Sequence, residues 1–426
     1  MQTPSTAELS FGRILELIIL SLFVIAIPNF EALSNIFYGL FLLTWLINRS
    51  FRNSEKSEKF GGPWRFFDSV ILIWMLANIF INLCSLYHTH SPAGLLGGLD
   101  LLRYSSVLWM ISRSAYSAKQ ISIILFVALL ATLGGLIPAF HAYLNTHGDI
   151  DQLNLKTLGQ RNHTAIYLDL MFGLTFSFLL AFFRKINLFL KLLGLLILII
   201  LSLGLLAGAS RAAFGAAFAM SLFLALIFYS RSKFITFALI SLIILASLST
   251  LIFHPMVLQR QESWEHMGTD PRTCIRHAAI LTFEQSPLVG FGSHQYRFAA
   301  SDAHIQTWAD LKYNKIPSTQ RPCFGFAPHA HNLYLNTLAE MGLIGFGALI
   351  LFLISWLVFL IKYYPRPKVQ PDYLDHFKMA LWASAACALI TDAGIGLVNT
   401  TIHHAHGLLS MIILGMALSY FYRKKT

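Results

Sequence analysis

The stretch LFLKLLGLLILIILSLGLLAG, residues 188–208, contains one charged side chain, that of Lys191. A helix rises about 1.5 Å per residue, so about 20 apolar residues cross the roughly 30 Å hydrocarbon core of a bilayer. The length and apolarity of this stretch therefore predict a membrane-spanning helix.

Runs of the same kind recur along the whole chain. They occupy residues 12–28, 31–47, 68–87, 95–112, 120–140, 164–183, 188–208, 212–229, 234–253, 334–361, 379–397 and 405–422. Of the 426 residues, 56% are hydrophobic and 12% are charged, whereas about 25% are charged in soluble domains. The sequence therefore predicts an all-α integral membrane protein with about twelve transmembrane helices.

The basic residues lie mainly in alternate connections between these runs. They are Arg49, Arg52, Lys56, Lys59 and Arg65, then Arg184 and Lys185, Arg231 and Lys233, Lys362, Arg366, Lys368 and Lys378, and finally Arg423, Lys424 and Lys425. Such loops are predicted to be cytoplasmic, together with both termini. The formal charge of +11 is explained by these loops, and no basic stripe with interleaved aromatic residues indicates nucleic-acid binding.

One connection is much longer than the others. It divides the chain into nine transmembrane helices over residues 1–253, a large outer loop over 254–333 and three transmembrane helices over 334–426. A loop of this length is usually functional or disordered, and the tryptophans and tyrosines of this one argue against disorder. We expect a partly helical cap on the outer face.

The loop contains two of the four cysteines, Cys274 and Cys323. In an oxidising compartment they could form a disulfide, and the alternative is two free thiols. The sequence leaves this choice open. Cys84 and Cys387 lie within spans and are expected to be inert apolar residues.

Several arginines lie at the outer ends of spans or in the outer loop: Arg161, Arg211, Arg260, Arg272 and Arg276. Arg260 is expected to contact lipid phosphates. Arg211 is flanked by alanine, glycine and serine in AGASRAAFGAA, and small residues let helices approach closely. A guanidinium in such a crowded site needs an anion, and a phosphate can accept two parallel hydrogen bonds from it. A group of arginines at this face would suit a membrane-anchored diphosphate, such as that of a lipid-linked sugar.

The outer loop becomes the tenth span within PHAHNLYLNTLAEMGLIGF, residues 328–346. Asn332 is a predicted N-cap, which places His331 next to the positive end of the helix dipole. That position favours neutral imidazole, the form a general base requires. The alternative is that His329 and His331 are interfacial polar residues without a chemical role.

A metal site is not predicted. His403, His404 and His406 in TIHHAHG also face outward, but His-x-His without cysteine or regularly spaced carboxylates is a weak zinc signal. We expect no metal and no cofactor.

Residues further along the tenth span have structural interpretations. Glu340 lies about 13 Å deeper than His331 and half a turn around the helix, so it is expected to brace a neighbouring helix instead of orienting that histidine. Gly342 and Gly345 are expected to let a neighbouring helix pack closely.

Three segments together resemble the bacterial O-antigen ligases, within the O-antigen ligase/polymerase superfamily. The first is His331-Asn332 followed by Gly342 and Gly345, and the second is GASRAAF around Arg211. The third is RTCIRHAAILTFEQSPLVGFGSHQY, in which an Arg-led helix ends at Pro287, Gly290 and Gly292. The resemblance covers the second half of the chain, and the first half only by the number of spans.

The resemblance implies an inverting, metal-independent glycosyl transfer at the periplasmic face of the bacterial inner membrane. A polysaccharide would leave undecaprenyl diphosphate and join a sugar hydroxyl of the lipid A core. His331 would be the general base and Arg211 would hold the diphosphate. Further substrate contacts are expected from Arg161, Arg272, Arg276, His329 and Asn332. Because Arg276 stands where the family often has an aromatic residue, either Arg272 or Arg276 is the main loop contact.

Other functions remain open at this stage. A repeat-unit polymerase or a protein O-oligosaccharyltransferase of the same superfamily would use a different acceptor. The end of the chain soon after the last span modestly favours the ligase. A transporter is a distant alternative, because the unusual polar groups lie at one face and not near the membrane midplane.

Overall fold

The computed structural model describes residues 11–50, 59–89, 93–146, 152–207, 210–228, 271–316, 321–366 and 370–423. The predicted ninth span, residues 234–253, and Arg260 lie outside these ranges.

The long helices follow the predicted spans closely. They are α1 (Phe11–Asn29), α2 (Glu31–Ser50), α3 (Phe66–Thr89), α4 (Ala93–Ser112), α5 (Ala118–Asn145), α6 (Arg161–Phe182), α7 (Leu188–Ala207) and α8 (Arg211–Phe228), then α12 (Leu333–Lys362), α13 (Tyr373–Ile390) with a π-helical continuation (Thr391–Ile395), and α14 (His404–Phe421). Nine helices in the described ranges are long and apolar enough to cross a membrane. The predicted class, an all-α membrane protein, is confirmed.

The centre of the bundle is formed by α6, α13 and α14. In the apolar windows of α6 and α14, 83% of the residues are buried, against 22% in α7. The exposed side chains of α7 are leucine, isoleucine and phenylalanine, as expected for a helix whose outer surface contacts lipid. The polar residues at the ends of α6 and α14 are therefore held by the most enclosed helices of the fold.

Two buried ion pairs join helices at the end of the bundle where α1 begins and α2 ends. Arg49 lies 2.8 Å from Glu16, whose side chain is fully buried and also accepts a hydrogen bond from the hydroxyl of Tyr116 at 2.8 Å. Arg113 lies 2.9 Å from Asp68. Arg49 thus has an internal partner, and removing one member of such a pair typically costs about 3–5 kcal/mol.

The described part of the predicted outer loop contains three helices: α9 (Pro271–Gln285), α10 (Tyr296–Ala299) and α11 (Asp302–Lys312). Their small apolar core includes Ala278, Leu281 and Tyr296, and it continues onto α12 through Ala339. A disulfide joins Cys274 near the start of α9 to Cys323. The open choice between a disulfide and two free thiols is settled in favour of the disulfide.

The turn that follows α9 packs against a break in α12. Gly342 has φ 57° and ψ −162°, a conformation that only glycine adopts without strain. The amide groups of Leu343 and Ile344 donate to the carbonyl oxygens of Pro287 and Leu288 at 2.8 and 3.2 Å.

The expectation for Gly342 is therefore wrong in one respect, because the close neighbour is the backbone of a loop and not another helix. A Cβ at Gly342 would lie 2.4 Å from the carbonyl carbon of Leu288. For Gly345 the expectation fits, since a Cβ there would meet Ile81 of α3 at 3.1 Å.

Candidate functional site

The turn before α12 is held on both sides by hydrogen bonds. The side chain of Asn332 accepts from the amide of Leu335 at 2.9 Å, so the predicted N-cap is confirmed. The same side chain donates to the carbonyl of Leu397 at 2.7 Å, and the amide of Leu333 donates to the carbonyl of Gly396 at 2.7 Å. The turn is thereby attached to the loop between the π-helical segment and α14.

His331 lies within this turn with φ 47°, a left-handed conformation that is uncommon for residues other than glycine. Strained backbone of this kind persists where the surroundings fix it, and it is concentrated at functional sites. The hydrogen bonds of Asn332 and Leu333 fix the chain after His331, and the amide of Ala330, which donates to the side chain of Asn336 at 3.1 Å, fixes it before. The imidazole is therefore presented in one orientation.

The electrostatics of His331 favour the neutral ring. Burial and the positive charge of Arg272 lower the pKa of His331, while a hydrogen bond with the side chain of Asn399 opposes the shift. Asn399 is buried, and its side-chain oxygen also accepts from the amide of Thr400 at 2.9 Å. An amide side chain that binds one ring nitrogen orients the ring and leaves the other nitrogen available to accept a proton.

The predicted arginines reach this end of the bundle from different helices. Arg272, half-buried in the first turn of α9, is the loop arginine whose charge acts on His331. Arg276 lies one turn further along α9 and is also half-buried. Arg161 is the first residue of α6 and Arg211 the first residue of α8. The side chain of Arg211 is exposed, so the expectation that it lies in a crowded site is wrong.

A group of six histidines adjoins the His331 turn. Its members are His163, His294, His329, His403, His404 and His406. The rings of His329 and His403 lie 4.7 Å apart, and those of His163 and His329 lie 6.3 Å apart. Of the predicted site residues, His329 therefore belongs to a polar group wider than its own turn.

Two histidines of the group that lie outside the bilayer-spanning helices, His329 and His403, are held neutral. Burial and the neighbouring charges of His404 and His294 lower the pKa of His329 to about 4. Burial also lowers the pKa of His403 well below its usual value. These two rings consequently offer hydrogen-bond donors and acceptors in their neutral form.

Three of these residues are close enough to share a metal ion. One ligand nitrogen from each of His163, His329 and His404 lies within 4.8 Å of the others. Spacing along the sequence does not predict this group, because its three members come from three separate segments.

Glu340 acts away from the His331 ring. Its carboxylate accepts a hydrogen bond from the amide of Tyr296 at 3.2 Å, and its carbonyl accepts from the amide of Gly292 at 2.7 Å. Glu340 thus anchors the start of α10, in agreement with the expected bracing role.

Three residues of the site are not predicted from the sequence: His163, His294 and Asn399. His163 stands two residues after Arg161, and His294 follows the Gly290-x-Gly292 turn with φ 60°. Asn399 lies in the connection at 398–404, whose sequence attracts notice only because it contains no Lys or Arg. Only the backbone strain and the contacts between distant segments identify them.

The fold and this site define a polytopic membrane protein with a group of histidines at one end of its bundle, next to the His331 turn on which the charge of Arg272 acts. A family model described as O-antigen ligase matches residues 196–350, just over a third of the chain. No curated protein matches the chain. Residues 196–350 are therefore similar to the O-antigen ligase family, which supports the resemblance drawn from the sequence at the level of the O-antigen ligase/polymerase superfamily. The matched segment includes Arg211, Arg272 and His331.

Proposed function

We propose that the protein is an O-antigen ligase. It transfers O-antigen polysaccharide from undecaprenyl diphosphate to a hydroxyl of the lipid A core. The single observation that carries the proposal is the environment of His331. The positive charge of Arg272 lowers the pKa of its ring, and the ring is hydrogen-bonded to the side chain of Asn399. The match of residues 196–350 to the O-antigen ligase family supports the substrate class.

In the proposed reaction His331 removes the proton from the acceptor hydroxyl. The resulting oxygen attacks the anomeric carbon, the bond from that carbon to the diphosphate oxygen breaks, and the configuration inverts. The leaving diphosphate keeps the bonding electron pair and its negative charge. Fixed guanidinium groups stabilise that charge as it develops. We assign this role to Arg211 and Arg272, with further contacts from Arg161 and Arg276, and no metal takes part.

The acceptor sugar is assigned to the same turn. His329 and Asn332 flank the general base on either side, and both side chains are half-buried. The backbone of the turn is fixed by the bonds to Leu397 and Gly396. We expect these two side chains to orient the acceptor hydroxyl towards His331.

The proposed location is the bacterial inner membrane, with the site facing the periplasm. The connection at 398–404, which contributes Asn399 to the site, contains no Lys or Arg. The connections with many basic residues precede α3 and follow α12, at the opposite ends of those helices from the site. Basic loops remain cytoplasmic in most membrane proteins, which supports this orientation.

The test is reconstitution with lipid-linked polymer and rough lipopolysaccharide in the presence of a chelator. Replacing a general base typically costs about 10²–10⁴-fold in rate, so His331→Ala is expected to lose transfer by that factor. Arg211→Ala is expected to lose transfer while the protein remains folded. His304→Ala, an exposed position stacked on Trp308, is the matched control. Normal transfer by His331→Ala would refute the assignment of the base.

The choice of acceptor separates the ligase from its relatives. The ligase transfers polymer to rough lipopolysaccharide. A polymerase would instead extend a second lipid-linked repeat unit, and a protein O-oligosaccharyltransferase would modify a peptide hydroxyl. Transfer to either of these acceptors and not to lipopolysaccharide would refute the ligase and retain the superfamily chemistry.

A further inference from the structure

The close group of His163, His329 and His404 combines three segments that are distant in sequence. His163 is in the first turn of α6, His329 is in the turn before α12, and His404 begins α14. Their ligand nitrogens lie within 4.8 Å of one another. His163 is buried, His329 is half-buried and His404 is exposed, so the group opens towards solvent on one side.

The ligand chemistry of this group is selective. Imidazole suits zinc, copper and nickel, whereas magnesium and calcium prefer oxygen. In tetrahedral zinc sites the metal–nitrogen distance is about 2.0–2.1 Å, which places the nitrogens about 3.3 Å apart. The group must contract by up to about 1.5 Å to reach that geometry. His404 is the exposed member of the three, so we assign most of this movement to its ring.

The nitrogen Nδ1 of His163 already has a partner that suits metal binding. It lies 2.9 Å from Nε2 of His406, which is fully buried. When Nδ1 of His163 donates in this bond, its Nε2 is unprotonated and available to a metal. Metal-bound histidines usually donate their second ring nitrogen in this way, and the partner fixes the ring.

A second observation indicates a ligand at the same place. His403 is 6% exposed, and neither of its ring nitrogens has a hydrogen-bond partner among the described residues. Its ring lies 4.7 Å from that of His329 and 3.8 Å from that of His404. Buried polar atoms are almost always satisfied by protein, water or an ion. A hydrated cation between these rings would supply the missing partner.

We propose that His163, His329 and His404 bind one Zn²⁺ ion whose fourth position is open to water. The ion joins α6, the turn before α12 and the start of α14. His331 is not a member of the group, so the ion has no part in the proton transfer assigned to that residue. The site goes beyond the proposed glycosyl transfer. When the ion is bound, His329 is a zinc ligand and the acceptor contact of the turn is made by Asn332.

The test measures zinc retained by the full-length chain in detergent, purified with an affinity tag that contains no histidine. After equilibrium dialysis against buffered Zn²⁺, we expect one zinc ion per wild-type chain. Removing a residue that only hydrogen-bonds to a metal ligand weakens metal affinity about 10–100-fold. Removing a ligand itself should cost more, so we expect His404→Ala to weaken zinc affinity at least about 100-fold. His163→Ala should behave alike, and His304→Ala should retain wild-type affinity. Co²⁺ should give the visible absorption of a tetrahedral complex.

Two results would overturn the proposal. One is wild-type protein without bound zinc, and the other is unchanged zinc affinity in a folded His404→Ala variant. Since His163 is buried and its replacement can disturb folding, His404→Asn serves as a further variant at the exposed position. Zinc should also raise the unfolding temperature of the wild type and of His304→Ala, but not of either His404 variant. No sugar substrate is present, so failure of the glycosyl-transfer proposal leaves these results unaffected.

Discussion

Replacing Gly342 by alanine tests how the outer cap is attached to the membrane helices. At this residue α12 breaks, and the turn carrying Pro287 and Leu288 docks against the break. A Cβ at Gly342 would lie 2.4 Å from both the carbonyl carbon and the oxygen of Leu288, and 2.6 Å from the amide nitrogen of Val289. These are backbone atoms, so no side-chain rotation relieves the overlap.

Two effects contribute to the expected cost of Gly342→Ala: strain in the backbone and displacement of the docked turn. A side chain in this region of φ and ψ costs about 1–3 kcal/mol. In addition, the turn must move away by about 1 Å before the contact returns to its optimum of about 3.5–4.0 Å. Since the turn anchors the C-terminal end of α9 and the disulfide holds its other end, we expect the displacement to tilt the helix and so alter the placement of Arg272. A displacement of about 1 Å at a catalytic centre can cost about 100-fold in rate.

The assay compares the transfer rate and the unfolding temperature of Gly342→Ala with those of the wild type. Gly347→Ala is the matched control, because Gly347 is in the same helix and a Cβ there has no atom within 4 Å. We expect Gly342→Ala to lose about 100-fold in transfer and to unfold at a lower temperature, while Gly347→Ala keeps both. A Gly342→Ala protein with the wild-type rate would refute the idea that this docking positions Arg272.

Two further predictions concern α9. Arg272→Ala should raise the pKa of His331, because the positive charge of Arg272 lowers that pKa in the wild type. The acid limb of the pH–rate profile, measured with chelator present, should therefore move to higher pH. Arg276→Ala should leave that limb in place, and equal shifts would contradict the distinction between the two arginines. Joint replacement of Cys274 and Cys323 by serine removes a link across 49 residues, which is worth about 4 kcal/mol to the cap in the chain-entropy model. Limited proteolysis should then cleave the cap faster than in the wild type, and unchanged cleavage would contradict a stabilising role.

The helical framework is predictable because lipid imposes one simple requirement on sequence. Each membrane helix must satisfy its own backbone hydrogen bonds and present apolar side chains over about 20 residues. This requirement leaves a continuous signal, and eleven of the twelve predicted spans coincide with helices in the described ranges. The N-cap role of Asn332 is predictable for a similar reason, since capping depends on a side chain and the three residues after it.

The site is predictable only in part, because its members come from separate segments. The His331 turn and the arginines at helix ends stand out locally, as polar groups beside apolar runs. Asn399 and His163 do not, since nothing in their neighbouring sequence shows that they face His331 and His329. The break at Gly342 resembles an ordinary small-residue helix contact in the sequence. Only the positive φ and the docked turn distinguish it.

The geometry links two of the three sequence motifs, α9 with its following turn and the segment from His331 to Gly345. Helix α9 is fixed at its start by the disulfide from Cys274 to Cys323, and Cys323 lies shortly before the His331 turn. The helix is fixed at its end by the turn docked at Gly342, which lies beyond the same histidine on α12. Arg272 and His331 are therefore held by attachments on both sides. In the proposed reaction, a rigid spacing between these two residues would hold the leaving diphosphate and the general base in one geometry. Loosening either attachment should reduce transfer without removing any group that touches a substrate.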